Sequence, residues 1–333
     1  MVRVDLAIDM IWVAWERHRR SMELSAYFGA ETFFWESSLP RFVKHPFFIL
    51  KTVFLLANRR PRVLIVQNPS VILAFVACLC QGLFGYFLVV DAHNVGLIPD
   101  SAIGKKVGWF YKYLIEKANL TIVTNEYLAR HVKKSGGFPY ILPDKLPSII
   151  VPAYGETGRG NKHVFNVLFV CSYGLDEPYD EVFEAALSLP DNFQLSVTGD
   201  YKKLPDKTYQ RYKEKLNFLG YVSDAEYCSL LCEADLVMVL TVRENCLVCG
   251  AYEAVAVETP MLLSETKAIK EYFYKGAVFT KNKAENIASA IIYAEAHYEQ
   301  LKNDVVELKD EISCKWVARG EELFELLVGV AKL

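Results

Sequence analysis

The carboxylate of Glu253 lies in an otherwise apolar helical segment, and it is the first group in the sequence that suggests chemistry. The segment Cys246–Val257 is rich in small and apolar residues and contains no proline. Because burying an unpaired charge in such surroundings is costly, Glu253 is expected to have a polar partner. A polar turn, Thr241–Asn245, lies about nine residues earlier, or roughly 13 Å along a helix. This is about the reach from the sugar-phosphate end of a nucleotide-sugar to its ribose hydroxyls.

Two short apolar runs enclose the turn and the helix. Asp235–Leu240 and Met261–Leu263 have the pattern of buried strands, and Thr259-Pro260 ends the helix between them. A strand–loop–helix–strand unit leaves backbone N–H groups unpaired at the N-terminus of its helix. The pattern therefore predicts a site where a phosphate could bind.

The sequence GAYEAVAVETPMLLSE, residues 250–265, resembles the signature of the GT-B glycosyltransferases, chiefly the retaining ones. In that family two glutamates flank seven residues; the first lies near the sugar and the second binds the nucleotide ribose. Glu253 matches the second position. Eight residues earlier stands Asn245, and Glu244 is one residue too far. The resemblance implies that Glu244 reaches the sugar through a longer turn, or that Asn245 supplies a neutral contact. The plain alternative is a helix with one paired glutamate.

Further donor-binding residues are predicted at the ends of other strands. Many retaining members of the family place an arginine and a lysine on the donor diphosphate, in and just beyond the loop that matches Cys171–Pro178, and both are missing here. The loop N–H groups, Lys202 and Lys203 are alternatives, but Arg243 is preferred because it lies beside the helix N-terminus. Tyr221 is predicted to stack on the nucleobase, with a core tyrosine as the alternative. The remaining predicted donor contacts are Ser172, Tyr173, Gly199, Cys246 and Leu247.

In the first half of the chain, Asp91-Ala92-His93-Asn94 ends an apolar strand. The resemblance places a histidine here near the reacting sugar carbon, and His93 would act there as a hydrogen-bonding group or as an acid or base. The alternative is that the motif only caps the next segment. Asn94, His18 and Arg19 are the predicted acceptor contacts. The segment Trp15–Ser21 is predicted to open the first helix, where its cations could meet an anionic acceptor such as a diphosphate-linked lipid or form an ordinary solvated face.

Short apolar strands alternate with helical segments along the whole chain, which predicts parallel sheets covered by helices. Ligands of such sheets bind beyond the carboxyl ends of the strands. We therefore expect an α/β protein of GT-B fold, with two Rossmann-like doubly wound domains facing a central cleft. The predicted strands are Val4–Ile8, Thr32–Trp35, Val63–Gln67, Phe87–Val90, Leu120–Val123, Val167–Val170, Gln194–Val197, Leu216–Leu219, Leu236–Leu240, Met261–Leu263 and Ala277–Phe279.

The length of 333 residues suits about two domains. A glycine-rich polar stretch near the midpoint, Ala153–His163, is predicted to be the linker. The expected division is an acceptor-binding domain at 1–153, a linker at 154–163 and a nucleotide-sugar-binding domain at 164–333. The helical tail, roughly 283–330, would complete the second domain and cross back to the first, as in GT-B folds.

Composition excludes several classes of protein. With 52% hydrophobic residues and a net charge of −3, the chain is expected to form sizeable cores and to bind no nucleic acid. Eight irregularly spaced cysteines and the absence of a secretory signal favour a reducing cytoplasm. Cys246-x-x-Cys249, with Cys228 and Cys232, leaves a zinc site as the alternative to buried thiols. We expect no metal and no cofactor beyond the UDP-sugar or GDP-sugar substrate.

The segment 41–62 is basic at both ends and aromatic between them, within a stretch from Ser37 to Val90 that contains no Asp or Glu. Such a helix is predicted to lie on an anionic membrane surface, with a core helix as the alternative. Val71–Val90 is an uncharged run of twenty residues. A buried helix followed by a buried strand explains this run better than a membrane span, because Gln81-Gly82 and Gly85 interrupt it.

These observations predict a hexosyltransferase, retaining rather than inverting, that moves a sugar from a nucleoside-diphosphate sugar to a glycan or polyprenyl-linked acceptor. Exopolysaccharide or glycolipid synthesis is the expected setting, in the cytoplasm or on the inner face of the cell membrane. A non-catalytic GT-B-shaped binding subunit and a sugar-nucleotide epimerase remain the alternatives.

Overall fold

The computed structural model describes residues 9–68, 70–92, 94–98, 106–149 and 164–332. The chain divides into two compact units. Unit 1 comprises Met1–Lys145 and Lys315–Leu333, and unit 2 comprises Leu146–Cys314. Each unit contains a six-stranded sheet. The predicted linker, 154–163, lies outside the described residues.

The sheet of unit 1 is wholly parallel, with the strand order β2-β1-β3-β4-β5-β6. Every residue of β1 and β3 is buried, as expected for a parallel sheet covered on both faces. Gln67 lies opposite Asp91 in the register, so two polar side chains end adjacent strands. The strands are β1 Met10–Ala14, β2 Glu31–Phe34, β3 Val63–Asn68, β4 Phe87–Ala92, β5 Leu120–Val123 and β6 Pro139–Ile141.

Helices cover both faces of this sheet. The described helices are α1 Arg19–Phe28, α2 Arg41–Arg59, α3 Val71–Phe84, α4 Asn94–Leu97, α5 Gly108–Lys117 and α6 Glu126–Lys134. One apolar core packs residues of α2, α3, α5 and α6 against the strands. Another packs α1 against the chain's C-terminal helical residues, including Trp316, Leu323 and Leu327. The indole Nε1 of Trp316 donates a buried hydrogen bond to the carbonyl of Pro143 (3.0 Å).

Unit 2 has the strand order β12-β11-β10-β7-β8-β9, again parallel throughout. Its strands are β7 Phe165–Phe169, β8 Phe193–Thr198, β9 Leu216–Gly220, β10 Leu236–Val239, β11 Met261–Ser264 and β12 Ala277–Thr280. Its helices are α7 Tyr179–Leu187, α8 Asp206–Tyr212, α9 Asp224–Glu233, α10 Cys249–Ala256, α11 Lys267–Tyr272 and α12 Ala284–Ala296, with a 3₁₀ turn at Tyr201–Lys203. The last helix, α13 Tyr298–Lys332, begins in unit 2, and its residues from Lys315 onward belong to unit 1. Apolar cores on both faces of the sheet complete the doubly wound arrangement.

The predicted α/β architecture of two Rossmann-like units is confirmed, and every strand predicted from Thr32 onward coincides with an observed strand to within about two residues. Two strands were not predicted: the central β1 and the edge strand β6. The predicted strand Val4–Ile8 lies outside the described residues. The apolar run Met10–Ala14 has no charge, whereas Val4–Ile8 contains Asp5, and this difference is the signal that favours β1.

Two predicted helix starts are corrected. Residues 15–18 form a connection and not the beginning of α1, because His18 is the N-cap with extended backbone angles (φ −116°, ψ 137°). The helix that carries Glu253 begins at Cys249 and not at Cys246, after an extended N-cap at Val248. The residues that precede both helices therefore belong to loops at the carboxyl ends of strands.

The uncharged run Val71–Val90 folds as α3 followed by β4, both with largely buried residues. Gly85 ends the helix in the left-handed conformation (φ 72°), which a glycine adopts without steric cost. Of the helices in the described parts of the chain, none combines the length and the hydropathy needed to cross a bilayer.

Candidate functional site

In unit 2, the predicted donor-binding residues follow four adjacent strands. The loops after β10, β7, β8 and β9 meet at the carboxyl edge of the sheet, in that order. This edge is where open α/β sheets bind ligands. Its loops contain Ser172 and Tyr173, Gly199, Tyr221, and the turn that begins at Thr241. Sequence alone therefore grouped these residues at one edge, and the topology explains why.

The loop after β7 is folded around the carboxylate of Glu177. The backbone N–H groups of Ser172 and Gly174 donate to Glu177 Oε2 at 2.9 and 2.6 Å, and the hydroxyl of Ser172 donates to the same oxygen at 3.0 Å. Tyr173, at the centre of the loop, has a positive φ of 59°, a conformation that non-glycine residues rarely adopt. The loop amides, which the sequence offered as an alternative ligand for the diphosphate, thus bind a carboxylate of the chain itself.

The thiol of Cys171 takes part in the fold of this loop: it accepts a hydrogen bond from the backbone N–H of Tyr173 at 3.3 Å and donates to Glu177 Oε2 at 3.6 Å. Its burial, reinforced by the nearby Glu177 carboxylate, raises the pKa of the Cys171 thiol well above its usual range. A reactive cysteine requires a lowered thiol pKa, which is the opposite direction. The hydrogen-bonded thiol of Cys171 therefore helps to hold the β7 loop.

The loop after β8 approaches the β7 loop closely at Gly199. A side-chain Cβ at Gly199 would lie 2.2 Å from the carbonyl oxygen of Cys171, and Gly199 has a φ of +90°. Only glycine satisfies both conditions. The ammonium of Lys203, from the following 3₁₀ turn, donates to the carbonyl of Ser172 at 2.8 Å. This contact brings a positive charge to the β7 loop.

Arg243, the preferred phosphate ligand, is paired with an acidic residue of the β7 loop. Its Nε lies 3.1 Å from Asp176 Oδ2, and the backbone N–H of Val242 donates to the carbonyl of Asp176 at 2.8 Å. Asp176 therefore joins the β7 and β10 loops and holds the guanidinium at the carboxyl edge. Because the pair is partly exposed, its contribution to stability is small.

The remaining residues of the β10 turn differ in exposure. Glu244 is exposed and borders a shallow surface cavity with Lys267 and Lys270, whereas Asn245 is half-buried. Cys246 and Leu247 are also half-buried, and Leu247 packs against the core beside α10. The N-cap residue of α10, Val248, makes no side-chain hydrogen bond to the helix. The first N–H groups of a helix are the kind of group that binds an anion.

Glu253 is half-buried on α10, and its expected polar partner is Tyr227 on α9. The Tyr227 hydroxyl donates to Glu253 Oε2 at 2.7 Å. Tyr221, at the end of β9, is 90% exposed, which excludes the core tyrosine given as its alternative. A fully exposed ring beside the carboxyl edge suits stacking on a flat ligand.

In unit 1, a buried ion network lies at the carboxyl ends of β1 and β4. The Nε of Arg20 donates to Asp91 at 3.0 and 3.1 Å, Nη1 donates to Asp144 at 2.6 Å, and Nη2 donates to the Leu142 carbonyl at 2.9 Å. Burial alone would lower the pKa of Arg20, but the carboxylates of Asp91 and Asp144 outweigh it and raise the pKa. The network fixes the end of β4 two residues before His93.

Several polar atoms around this network are buried without a hydrogen-bond partner in the described structure: Ser21 Oγ, Gln67 Nε2, Asn68 Oδ1 and Asn94 Oδ1. Gln67 and Asn68 end β3, which pairs with β4 next to Asp91, whereas Ser21 follows Arg20 on α1 and Asn94 begins α4. Because unpaired buried polar atoms are costly, such places commonly hold ordered water or a ligand hydroxyl. Asn94 itself is half-buried, while His93 lies outside the described residues.

The predicted acceptor residue His18 borders a cavity of about 460 Å³ in unit 1. Most residues that line the cavity come directly after β1 or β2 in the sequence. The lining is mainly polar and includes the cations Arg17 and Lys44. Arg19 is the first residue of α1 and pairs with Glu23 at 3.0 Å. The full lining is Trp15, Glu16, Arg17, His18, Glu36, Ser37, Ser38 and Lys44.

Helix α2 buries only Phe48, Thr52 and Leu56 of its nineteen residues. Its opposite face is apolar and exposed: Phe42 is 79% exposed, Leu50 69% and Phe54 72%. The adjacent helices α3 and α5 add Leu79, Leu83 and Trp109, which are exposed by more than half. The alternative of a core helix is therefore wrong for this face of α2.

Across the described residues, no three or more His, Cys, Asp or Glu side chains form a group that could hold a metal ion. Cys246, Cys249, Cys228 and Cys232 form no such group in the described structure, so the zinc alternative gains no support from it. None of these four thiols is in a disulfide.

Sequence reasoning missed Tyr227, Asp176, Glu177 and Arg20, all of which orient other groups. A signal for Tyr227 was available, because Ser223-x-x-Glu226 is a capping box that starts α9 and puts the next residue in its first turn. Asp176 and Glu177 are recognisable only once the loop is folded, because Asp176 binds side chains about 65 residues away in sequence and Glu177 binds mainly backbone N–H groups.

Comparison with solved structures shows proteins of the same fold. HepE of Anabaena, crystallised with UDP, matches with a TM-score of 0.72 at 13% identity, over 96% of this chain and 100% of that chain. Sucrose-phosphate synthase of Thermosynechococcus elongatus matches with a TM-score of 0.74 at 15% identity, over 95% and 97% of the two chains. A UDP-N-acetylglucosamine 2-epimerase, so designated provisionally, from Listeria monocytogenes matches with a TM-score of 0.62 at 10% identity, over 89% and 91%. No curated protein sequence matches the chain.

The family described as "Glycosyl transferases group 1" matches residues 165–296. The match runs from β7 to the end of α12 and contains the whole carboxyl edge described above for unit 2. Unit 2 thus carries a glycosyl transferases group 1 domain, in a chain with the GT-B fold.

Proposed function

We propose that the protein is a glycosyltransferase that binds a nucleoside-diphosphate sugar at the carboxyl edge of unit 2. The observation that carries the proposal is the Glu253 carboxylate, held by Tyr227 within the region that matches the glycosyl transferases. A carboxylate in this position can accept hydrogen bonds from both hydroxyls of a ribose. HepE, which shares the fold, binds UDP, and UDP-sugars are accordingly the donors to test first.

The donor diphosphate is bound by groups other than the usual arginine and lysine of the β7 loop. We assign the positive charges that neutralise the diphosphate to Lys203 and Arg243. We assign the backbone N–H groups that donate to the diphosphate to the first turn of α10. Two cations and a helix N-terminus stabilise the negative charge that develops on a departing nucleoside diphosphate. The reaction needs no metal ion in this scheme, and transfer should proceed in excess EDTA.

The acceptor is assigned to unit 1. The cavity bordered by His18 combines cations, carboxylates and hydroxyls, which suits a phosphorylated, hydroxyl-bearing acceptor. His93 is assigned the contact with the transferring sugar, as the family resemblance implies. Of the two candidates for the sugar contact in unit 2, Asn245 is favoured over Glu244, because it is half-buried whereas Glu244 is exposed. Retention of the anomeric configuration is the expected outcome, to be read from the product by NMR.

We further propose that the acceptor is lipid-linked, in exopolysaccharide or glycolipid synthesis, and that segment 41–62 binds the anionic inner face of the membrane. The support is the exposed apolar face of α2 with its flanking cations. Exposed apolar side chains insert into the interfacial region of the bilayer, and Lys and Arg are attracted to anionic lipid headgroups.

Two other functions are distinguished by one assay. A non-catalytic binding subunit is favoured by the pairing of Arg243 with Asp176 and by the missing arginine and lysine. An epimerase is compatible with the fold. Incubation with a panel of nucleotide-sugars should give transfer or slow hydrolysis for a glycosyltransferase, no turnover for a binding subunit, and interconversion for an epimerase.

The decisive binding experiment is a thermal-shift screen with UDP, GDP, ADP and TDP. We expect one of them to raise the melting temperature of the wild-type protein and to have no effect on Glu253→Ala. If none of the four nucleotides stabilises the wild-type protein, or if the variant responds fully, the proposed function is wrong.

A further inference from the structure

The Tyr227 hydroxyl has no assigned part in the proposed function, although it touches the residue on which that function depends. It donates to Glu253 Oε2 at 2.7 Å, from a different helix. The Tyr227 side chain as a whole is half-buried. Its surroundings raise the pKa of the phenol far above its usual value, mainly through burial and secondly through the charge of Glu253. The raised pKa favours the protonated phenol, which is the form that can donate to Glu253.

The position of Tyr227 is fixed before any ligand binds. Helix α9 begins with a capping box in which Ser223 and Glu226 bond to each other's backbone N–H groups. Tyr227 follows at once, and its own N–H donates to the carbonyl of Ser223 at 2.8 Å. The ring also packs against the apolar core beneath α10. A rigid helix start thus aims the hydroxyl at Glu253.

A glutamate side chain has three rotatable bonds, and orienting it costs conformational entropy. A hydrogen bond to one carboxylate oxygen restricts these rotations before the ligand arrives. The ionised carboxylate still has lone pairs for other donors, because its two oxygens offer about four acceptor sites. Preorganisation of this kind strengthens a ligand contact without the partner touching the ligand.

We infer that Tyr227 is a positioning residue that orients the Glu253 carboxylate toward the ribose hydroxyls of the donor nucleotide. The inference rests on the proposed function, because it requires that Glu253 bind a ribose. On this inference, loss of the Tyr227 hydroxyl weakens recognition of the ribose and leaves recognition of the base and the phosphates unchanged.

The test compares UDP with 2′,3′-dideoxy-UDP, which lacks both ribose hydroxyls, by calorimetry on full-length protein. For the wild-type protein we expect UDP to bind at least tenfold more tightly than the dideoxy analogue. In Tyr227→Phe the preference should fall by about three- to tenfold, with unchanged affinity for the analogue. This is less than the loss of a direct hydrogen bond to a charged group would give, because Tyr227 acts on the ribose only through Glu253. In Glu253→Ala the preference should vanish.

Tyr212→Phe is the matched control. The hydroxyl of Tyr212 donates to the carboxylate of Glu184 at 2.5 Å, so this variant removes a tyrosine–glutamate bond elsewhere in unit 2. It should leave the preference for UDP unchanged. If Tyr227→Phe keeps the wild-type preference, or lowers the affinity for both ligands equally, the positioning role is refuted while the proposed function stands. If the wild-type protein binds no nucleotide, both are refuted.

Discussion

Replacing exposed apolar residues of α2 by serine should release the protein from anionic membranes. The variant is Phe42→Ser/Leu50→Ser/Phe54→Ser. Full burial of a Leu or Phe side chain is worth about 1.5–3 kcal/mol. Because these side chains are 79%, 69% and 72% exposed in the protein, about 1–2 kcal/mol each remains available for insertion. The three together contribute about 4 kcal/mol, or roughly a thousandfold in partitioning.

The assay is cosedimentation with vesicles of phosphatidylcholine, with and without phosphatidylglycerol. Wild-type protein should bind the anionic vesicles and bind the neutral ones more weakly, because each lysine or arginine near an anionic surface adds about 1 kcal/mol. The cations are Lys44, Lys51, Arg59 and Arg60, and charge reversal of all four to Glu should weaken binding to the anionic vesicles alone. Lys51 lies over the Trp35 ring at 4.9 Å, and Arg59 is paired with Glu31, so these two are partly engaged already.

The matched control replaces three partly exposed apolar residues on helices of unit 2, as Leu187→Ser/Ile292→Ser/Val306→Ser. These side chains are 48%, 42% and 37% exposed. The control should bind vesicles as the wild-type protein does. Equal binding by the α2 variant and the wild-type protein would show that the exposed face of α2 has no part in membrane attachment.

Three further predictions concern the candidate site and the stability of the fold. Lys203→Ala should weaken UDP binding about tenfold, by roughly 1.4 kcal/mol for one charge-assisted hydrogen bond, while binding of uridine is unchanged. Lys202→Ala, a neighbouring change in the same 3₁₀ turn, should leave the affinities for both UDP and uridine unchanged in calorimetry. Equal effects of the two variants on UDP binding would show that Lys203 does not bind the diphosphate. Gly199→Ala should lower the free energy of unfolding by at least about 2 kcal/mol in urea, because its φ is positive and the new Cβ meets the Cys171 carbonyl. Burial lowers the pKa of His131 from its ordinary value of 6.5, so the unfolded chain binds more protons than the folded chain as the pH falls below 6.5. The free energy of unfolding should therefore decrease as the pH drops through 6.5, and His131→Gln should reduce this decrease in urea titrations across that range. A variant with the same pH dependence as the wild-type protein would contradict this prediction.

The fold was predictable because its strands are short apolar runs separated by turn residues. The run Val63–Asn68 is buried along its whole length, and a parallel strand covered on both faces has the same signature in sequence. The central strand β1 was missed because an earlier apolar stretch took its place in the alternation. β6 was missed because it begins with proline and has only three half-buried residues, which leaves little periodicity to detect.

The candidate site was predictable as far as single residues that end strands. Glu253 and its need for a partner follow from one charge on an apolar helix, but the partner comes from a helix 26 residues earlier and has no periodic signal. The occupation of the β7 loop amides by Glu177 depends on three-dimensional folding of six residues. Pairing between distant side chains and backbone groups is the part of a site that sequence patterns do not encode.

The composition of unit 1 from both ends of the sequence has a consequence for biosynthesis. Trp316, Leu323 and Leu327 fill a core that also contains Met10 and Trp12. Unit 2, by contrast, is continuous from Leu146 to Cys314. During translation, unit 2 has all its residues while unit 1 still presents an open apolar face, because the end of α13 must be made before this face of β1 is covered. Nascent chains stalled before residue 315 should therefore bind chaperones through β1 and the residues that pack against it.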